Sequence, residues 1–115
     1  MTVNEAIERA TDVQLTEAER TVMTEWLSEL EARISQELYG AVETKAFDGA
    51  DAVLSVPDAY AEIYVIYLMM KRELKSGDAD GYGFYRECFK KVYKAFSDHL
   101  NRTRSLPKKT LFKTV

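Results

Sequence analysis

The segment Asp78-Ala79-Asp80-Gly81 has the clearest metal-binding pattern in the chain, because it resembles the start of a calcium loop. A loop of the EF-hand type also needs Gly at its sixth position and a bidentate Glu at its twelfth. Counted from Asp78, those positions are Gly83 and Phe89, so the glycine is present and the carboxylate is missing. We therefore interpret the segment as a turn between two helices.

Histidine and cysteine are too scarce for most metal or nucleophilic sites. His99 and Cys88 are the single residues of their types, so neither a two-histidine metal site nor an internal disulfide is possible. Both flank the apolar stripe of one helical segment, where we expect a half-buried structural role for His99 and a core position for Cys88. The pattern predicts no catalytic residue, no metal and no cofactor.

Two glutamate pairs could start a carboxylate metal site of the kind found in helical-bundle enzymes. They are Glu5 with Glu8 and Glu25 with Glu29. Because no matching acidic pair falls on the apolar side of the later helical segments, solvated helix faces explain these glutamates. The chain is therefore predicted not to be an enzyme, and a bundle enzyme is the weakest of three functions considered.

The composition indicates one mainly helical domain. The chain has 115 residues, of which 2 are proline and 5 are glycine. A chain of this length forms one domain with a moderate core. Its first residues lack the basic region and apolar run of a signal peptide, so we expect a cytosolic protein.

Charge is distributed unevenly along the chain. Residues 1–62 carry 4 basic and 14 acidic side chains, whereas residues 63–115 carry 12 basic and 5 acidic ones, giving formal charges of −10 and +7. Acidic and basic helices either pair within one chain or pair head to tail between neighbouring subunits. The sequence is compatible with both. Sequence-specific binding to nucleic acid is not expected, because the acidic first half would repel a duplex.

Two capping boxes predict where the first two helices begin. Thr2 and Thr16 each start a hydroxyl-x-x-Glu sequence, which satisfies backbone amides at a helix N-terminus. The first helix should reach residue 10 and the second should reach about Tyr39, before Gly40. Their apolar faces are Val3, Ala6, Ile7 and Ala10, and then Met23, Trp26, Leu27, Leu30, Ile34 and Leu38.

The stretch 59–74 is the most apolar part of the chain and should form a central helix. Ile63–Met70 is a run of eight apolar or aromatic residues, too short to span a membrane, which takes about 20. Pro57 and Gly77 are placed to begin and end a helix over about 58–75. One face, with Ile63, Ile66, Tyr67, Met70 and Leu74, should lie in the core. We expect another subunit to cover a second stripe, and the predicted interface residues are Tyr60, Ala61, Tyr64, Val65 and Leu68.

The segments on either side of the central helix are a loop and a further helix. Residues 40–57 show no sustained period and should form a loop, with a turn at Phe47-Asp48-Gly49 and a short extended piece at 52–56. A helix from about Tyr82 to Arg102 follows, and the short connection predicts that it packs antiparallel to the central helix. Its apolar stripe is Tyr85, Phe89, Val92, Phe96 and Leu100, whereas Arg86, Lys90, Lys94, Ser97 and Asn101 face the other way.

The end of the chain is basic and contains a proline. Because Pro107 should stop the last helix, we divide the chain into a helical bundle, 1–104, and an extended arm, 105–115. The arm has no acidic residue, so we expect it to bind an acidic, partly apolar surface of another protein. The residues predicted to make this contact are Arg102, Arg104, Lys108, Lys109, Leu111, Phe112 and Lys113.

Three segments resemble small proteins of Gram-positive prophages. The run Trp26–Ile34 (WLSELEARI) is similar to their WLSELDGRI run, and Val56–Leu68 (VPDAYAEIYVIYL) to their VPAPYDEIYVHYL segment. The segment Tyr82–Thr103 resembles their closing helix, which ends in AFxxYYNRT. The chain departs from these patterns at Asp58 and Val65, where the relatives often have Pro and His. In order and extent, the three segments resemble the head–tail connector, or neck, family of tailed phages.

The resemblance implies a structural virion protein rather than an enzyme. It implies a helical bundle that assembles as a ring below the portal, with itself, the portal protein and the adjacent neck or tail protein as partners. The expected location is the bacterial host cytoplasm during assembly and then the virion neck, with DNA passing through the ring and no membrane contact. The alternative is a small cytosolic helical adaptor or regulator that binds a protein partner through its C-terminal arm.

Overall fold

The computed structural model describes residues 1–40 and 51–113, with side chains described as far as Thr103. These residues form four α-helices: α1 (Val3–Ala10), α2 (Glu17–Glu37), α3 (Glu62–Ser76) and α4 (Ala79–Lys113). A 3-10 turn, Asp58–Tyr60, leads into α3. The described residues contain no β-strand apart from one isolated bridge. The predicted all-α bundle is therefore confirmed.

The helix boundaries follow the predicted capping residues. The Thr2 hydroxyl accepts a hydrogen bond from the Glu5 amide at 3.1 Å, and the Thr16 hydroxyl accepts one from the Glu19 amide at 3.1 Å. In both boxes the glutamate side chain accepts the return bond from the threonine amide. At the C-terminal end of α3, Gly77 has a φ of +83°, which is the left-handed conformation predicted for this glycine.

The central helix α3 contacts α1, α2 and α4, as its apolar pattern predicted. The Tyr67 ring lies 5.3 Å from Phe89 and the Tyr60 ring lies 5.4 Å from Phe96, so α3 and α4 run antiparallel. The face expected in the core is buried only in part, since Leu74 is exposed. The fully buried large side chains are Val3, Leu27, Leu30, Ile34, Val56, Ile63, Tyr64, Leu68 and Phe96.

The segment before α3 is held against the N-terminus of the chain. The Val3 amide donates to the Ala52 carbonyl at 2.9 Å, and the Leu54 amide donates to the Met1 carbonyl at 2.9 Å. Together with the bridge between Thr2 and Val53, these bonds confirm a short extended piece. The turn predicted at Phe47-Asp48-Gly49 lies outside the described residues.

The last helix is longer than the sequence predicted. The backbone of α4 continues to Lys113, so the extended conformation expected from residue 105 onward is wrong for residues 105–113. A proline inside a helix removes one hydrogen bond and costs about 3 kcal/mol, but it kinks a helix rather than forbidding it. The neighbours of Pro107 include Leu106, Lys108 and Lys109, which are favourable helix formers.

Candidate functional site

The five residues predicted as a subunit interface do not form one exposed surface. Ala61, Tyr64 and Leu68 are buried within the single chain, whereas Tyr60 and Val65 are half-buried. The interface prediction is therefore wrong for Ala61, Tyr64 and Leu68. These three residues are buried in the single chain, where α3 contacts α1, α2 and α4, so no second copy is needed to bury them.

Tyr64 shows how this covering is achieved. Its hydroxyl donates a short hydrogen bond to the Glu31 carboxylate and accepts one from the Val56 amide at 2.9 Å. Glu31 also accepts bonds from the Ser55 amide at 3.0 Å and the Ser55 hydroxyl at 3.1 Å. Burial, and then the bond to Glu31, raise the pKa of Tyr64. The network joins α2, α3 and the segment between them, and every polar group in it has a structural partner.

The residues of the predicted arm are mostly beyond the described side chains. Arg102 is exposed on α4, as a partner-binding residue should be. The side chains of Arg104, Lys108, Lys109, Leu111, Phe112 and Lys113 lie outside the described part of the structure. Their role in binding a partner therefore stays a prediction.

Asp78 and His99, which were considered as metal ligands, each contact a neighbouring residue of the fold. Asp78 accepts a hydrogen bond from the Gly81 amide at 3.0 Å, which caps the first turn of α4 and confirms the turn interpretation. The His99 ring is half-buried and lies 4.9 Å from the Tyr60 ring. Cys88 is half-buried and is not among the core residues, so the predicted core position is wrong for it. Within residues 1–40 and 51–113, no three His, Cys, Asp or Glu side chains are grouped so as to hold a metal ion.

A groove between α2 and α4 is the main feature that the sequence did not predict. It has a volume of about 480 Å³ and a floor that includes Phe89 and Tyr93. Four cationic side chains line it: Arg33 from α2, and Arg86, Lys90 and Lys94 from α4. The row on α4 was visible in the sequence as cations spaced four residues apart. Nothing in the sequence showed that Arg33 would join them.

Arg33 lines this cationic groove and contacts residues of both α2 and α4. Its guanidinium carbon lies 4.6 Å from the centre of the Tyr93 ring and 5.6 Å from that of Phe89, within cation–π range. Its Nε lies 3.1 Å from the Glu37 carboxylate, which also accepts a bond of 2.6 Å from the Tyr93 hydroxyl. The bonds from Tyr93 and then Arg33 lower the pKa of Glu37, while burial and Glu37 raise the pKa of Tyr93 to about 12.

The acidic and basic halves of the chain make little direct contact through ion pairs. Among the described side chains, Lys71 and Glu29, at 3.9 Å, form the only ion pair that joins residues 1–62 to residues 63–115. The other side-chain pairs lie within single helices, between residues three or four positions apart. Intramolecular pairing therefore accounts for little of the charge asymmetry in this part of the chain.

None of the described helices combines the length and the apolar character needed to cross a membrane. No protein-family model, no curated protein and no solved structure matches the chain.

Proposed function

We propose that the chain is a structural protein of a tailed phage or prophage virion. In this proposal it is the head–tail connector, whose copies form a ring below the portal and join the head to the tail. It acts by binding protein partners, without catalysis and without a cofactor. Its places of action are the bacterial host cytoplasm during assembly and the virion neck afterwards.

The observation that carries the proposal is that the three segments resembling neck proteins contact one another in the fold. Glu31, in the first segment, is bonded to Tyr64, in the second. Tyr60, in the second, packs on Phe96, in the third. Arg33 and Tyr93 join the first to the third. Because fold-forming contacts link all three segments, the resemblance extends over one interacting core rather than three unrelated stretches.

The charge distribution also supports the proposal. A ring of identical subunits is closed by heterologous contacts, in which two different surfaces of the chain meet. Among the described side chains, the acidic half and the basic half share a single ion pair, at 3.9 Å. The charges of both halves are therefore available to a neighbouring copy.

The test is co-expression of the chain with the portal protein encoded in the same gene neighbourhood, followed by affinity purification of the portal. We expect the full chain to co-purify. Deletion of residues 105–115 should abolish co-purification while leaving the thermal melt of the bundle almost unchanged. The proposal would be contradicted if the portal never retained the full chain and if the gene neighbourhood lacked capsid and tail genes. Those results would favour the adaptor function.

A single substitution separates the two kinds of contact expected of residues 105–115. Salt screens exposed charges, so binding should weaken with ionic strength if Lys108, Lys109 and Lys113 dominate. Phe112→Ala should instead weaken portal binding at every salt concentration, because an aromatic anchor acts by burial. An unchanged portal affinity for Phe112→Ala would show that the aromatic side chain is not an anchor.

A further inference from the structure

The cationic groove between α2 and α4 has features expected of a surface that binds a row of carboxylates. Arg86, Lys90 and Lys94 are exposed and follow one another at four-residue spacing along α4. At a rise of 1.5 Å per residue, the first and last are about 12 Å apart along the helix axis. A ligand that uses the whole row must therefore present anionic groups over a similar length.

The partners that these cations have within the chain are easily exchanged. Lys94 pairs with Asp98 at 2.9 Å and Lys90 with Glu87 at 3.5 Å, both on the exposed face of one helix. Exposed pairs of this kind contribute little stability. Arg86 forms no ion pair with any side chain that the structure describes. An acidic partner can therefore displace the weak pairs and also engage a cation that has none.

The chain itself carries an acidic row of matching length. Glu17 and Glu25 are exposed on α2 and are eight residues apart, the same separation as Arg86 and Lys94. Neither glutamate side chain forms an ion pair with the described part of the chain. Both border a second groove, between α1 and α2, which shares no lining residue with the cationic groove. The two rows are therefore separate surfaces of one molecule.

We infer that the cationic groove of one copy binds Glu17 and Glu25, the acidic row, of a second copy. The opposite charge and the equal eight-residue separation of the two rows favour this occupant. Because the two surfaces differ, the contact is heterologous, and repetition leads to a ring or an open filament. This inference rests on the proposed function and deepens it, since it names the surfaces through which connector subunits would meet.

The test uses single charge reversals in the full chain, measured by sedimentation velocity in low salt at concentrations up to about 1 mM. We expect the unaltered chain to self-associate beyond a dimer and to dissociate as salt is added. Arg86→Glu and Glu25→Lys should each weaken association at least about tenfold. Lys91→Glu is the matched control for Arg86→Glu, because Lys91 is exposed on the same helix and does not line the groove. It should change the association less than about twofold.

Mixing the two variants tests the heterologous geometry directly. A chain with Arg86→Glu keeps its acidic row, and a chain with Glu25→Lys keeps its cationic groove. Together they retain one complete interface, so the mixture should associate at least to heterodimers, although neither variant associates well alone. Circular dichroism melts of each variant show whether any loss of association comes from unfolding, and a variant that melts early is replaced by Arg86→Gln or Glu25→Gln.

Three results would overturn the inference. They are a monomer at the highest concentration in low salt, an equal effect of Arg86→Glu and Lys91→Glu, and a mixture that fails to associate. If the chain stays monomeric and its cationic groove binds nucleic acid or inorganic phosphate, the occupant of the groove is not a second copy. A monomer that still co-purifies with the portal would contradict this interface and leave the proposed function intact. Self-association through the groove without portal binding would do the reverse.

Discussion

Tyr64→Phe is the substitution that most sharply separates a buried structural role from a subunit interface. Phenylalanine keeps the buried ring and removes only the hydroxyl. That hydroxyl is the acceptor for the buried Val56 amide, at 2.9 Å, and a donor to the Glu31 carboxylate. The substitution therefore leaves one buried amide unsatisfied and takes one donor from a carboxylate.

The size of the effect follows from these two losses. An unsatisfied buried amide costs about 1–3 kcal/mol, and a hydrogen bond to a charged group contributes about 1.5–3 kcal/mol. Glu31 is only partly buried and keeps its two bonds from Ser55, so the second loss is at the low end. We expect Tyr64→Phe to reduce the free energy of unfolding by about 2–4 kcal/mol, a large part of the about 5–15 kcal/mol typical of a domain.

Urea denaturation followed by circular dichroism measures this loss. Tyr67→Phe is the matched control, because Tyr67 lies on the same helix, is half-buried and has no hydrogen bond from its hydroxyl to the described chain. It should change the free energy of unfolding by less than about 0.5 kcal/mol. An equally small effect for Tyr64→Phe would refute the reasoning, because it would show that the two hydrogen bonds of the Tyr64 hydroxyl do not stabilise the fold.

A pH series gives a second readout of the same residue. The pKa of Tyr64 is raised in the folded chain, so the stability that the neutral hydroxyl supplies is fully present below the ordinary tyrosine pKa of about 10. It is lost as the pH rises from there toward the folded-state pKa. The decline in stability above about pH 10 should be shallower for Tyr64→Phe than for the unaltered chain.

Three further predictions concern stability and use the same denaturation assay. Gly77→Ala should lower the free energy of unfolding by about 1–2 kcal/mol, because a residue with a Cβ is strained at the positive φ of Gly77. Gly83→Ala should raise it by about 0.5–1 kcal/mol, because Gly83 lies inside α4 with open space around the new Cβ. Equal effects of the two substitutions would contradict these backbone conformations. Phe96→Ala should cost about 3–5 kcal/mol, because Phe96 is fully buried, and a loss below about 1 kcal/mol would place it outside the core. The pKa of Glu37 is lowered in the folded chain, so its stabilisation is present above the ordinary carboxyl pKa of about 4.3 and is lost as the pH falls through the folded-state value. The stability difference between the unaltered chain and Glu37→Gln should therefore shrink as the pH falls below about 4.3, and a difference that stays constant there would show that the carboxylate charge is not involved.

The local features of the fold could be predicted because neighbouring residues determine them. Thr2 and Thr16 each act on an amide three residues away, and Gly77 supplies a conformation that other residues adopt at a cost. The apolar face of α1 follows from helical spacing alone, and each of its predicted residues is buried. The helical character of these segments and the antiparallel packing of α3 on α4 could therefore be predicted from the sequence.

The sequence could not predict which parts of the chain pack against the two apolar stripes of α3. Hydrophobic spacing showed that α3 has two apolar stripes, but it did not show which part of the chain covers the second. At Tyr64 the contacts come from Val56 and Glu31, which are 8 and 33 positions away in the sequence. For the same reason the groove was missed, since Arg33 meets Tyr93 only after the bundle forms. Contacts between residues distant in sequence decide both.

Electron cryomicroscopy of the chain in complex with the cognate portal tests the proposed connector function. We expect a ring of copies of this chain below the portal, with the cationic groove of each copy facing Glu17 and Glu25 of the next. A portal complex without density for this chain, or a chain that binds an unrelated host protein in place of the portal, would contradict it.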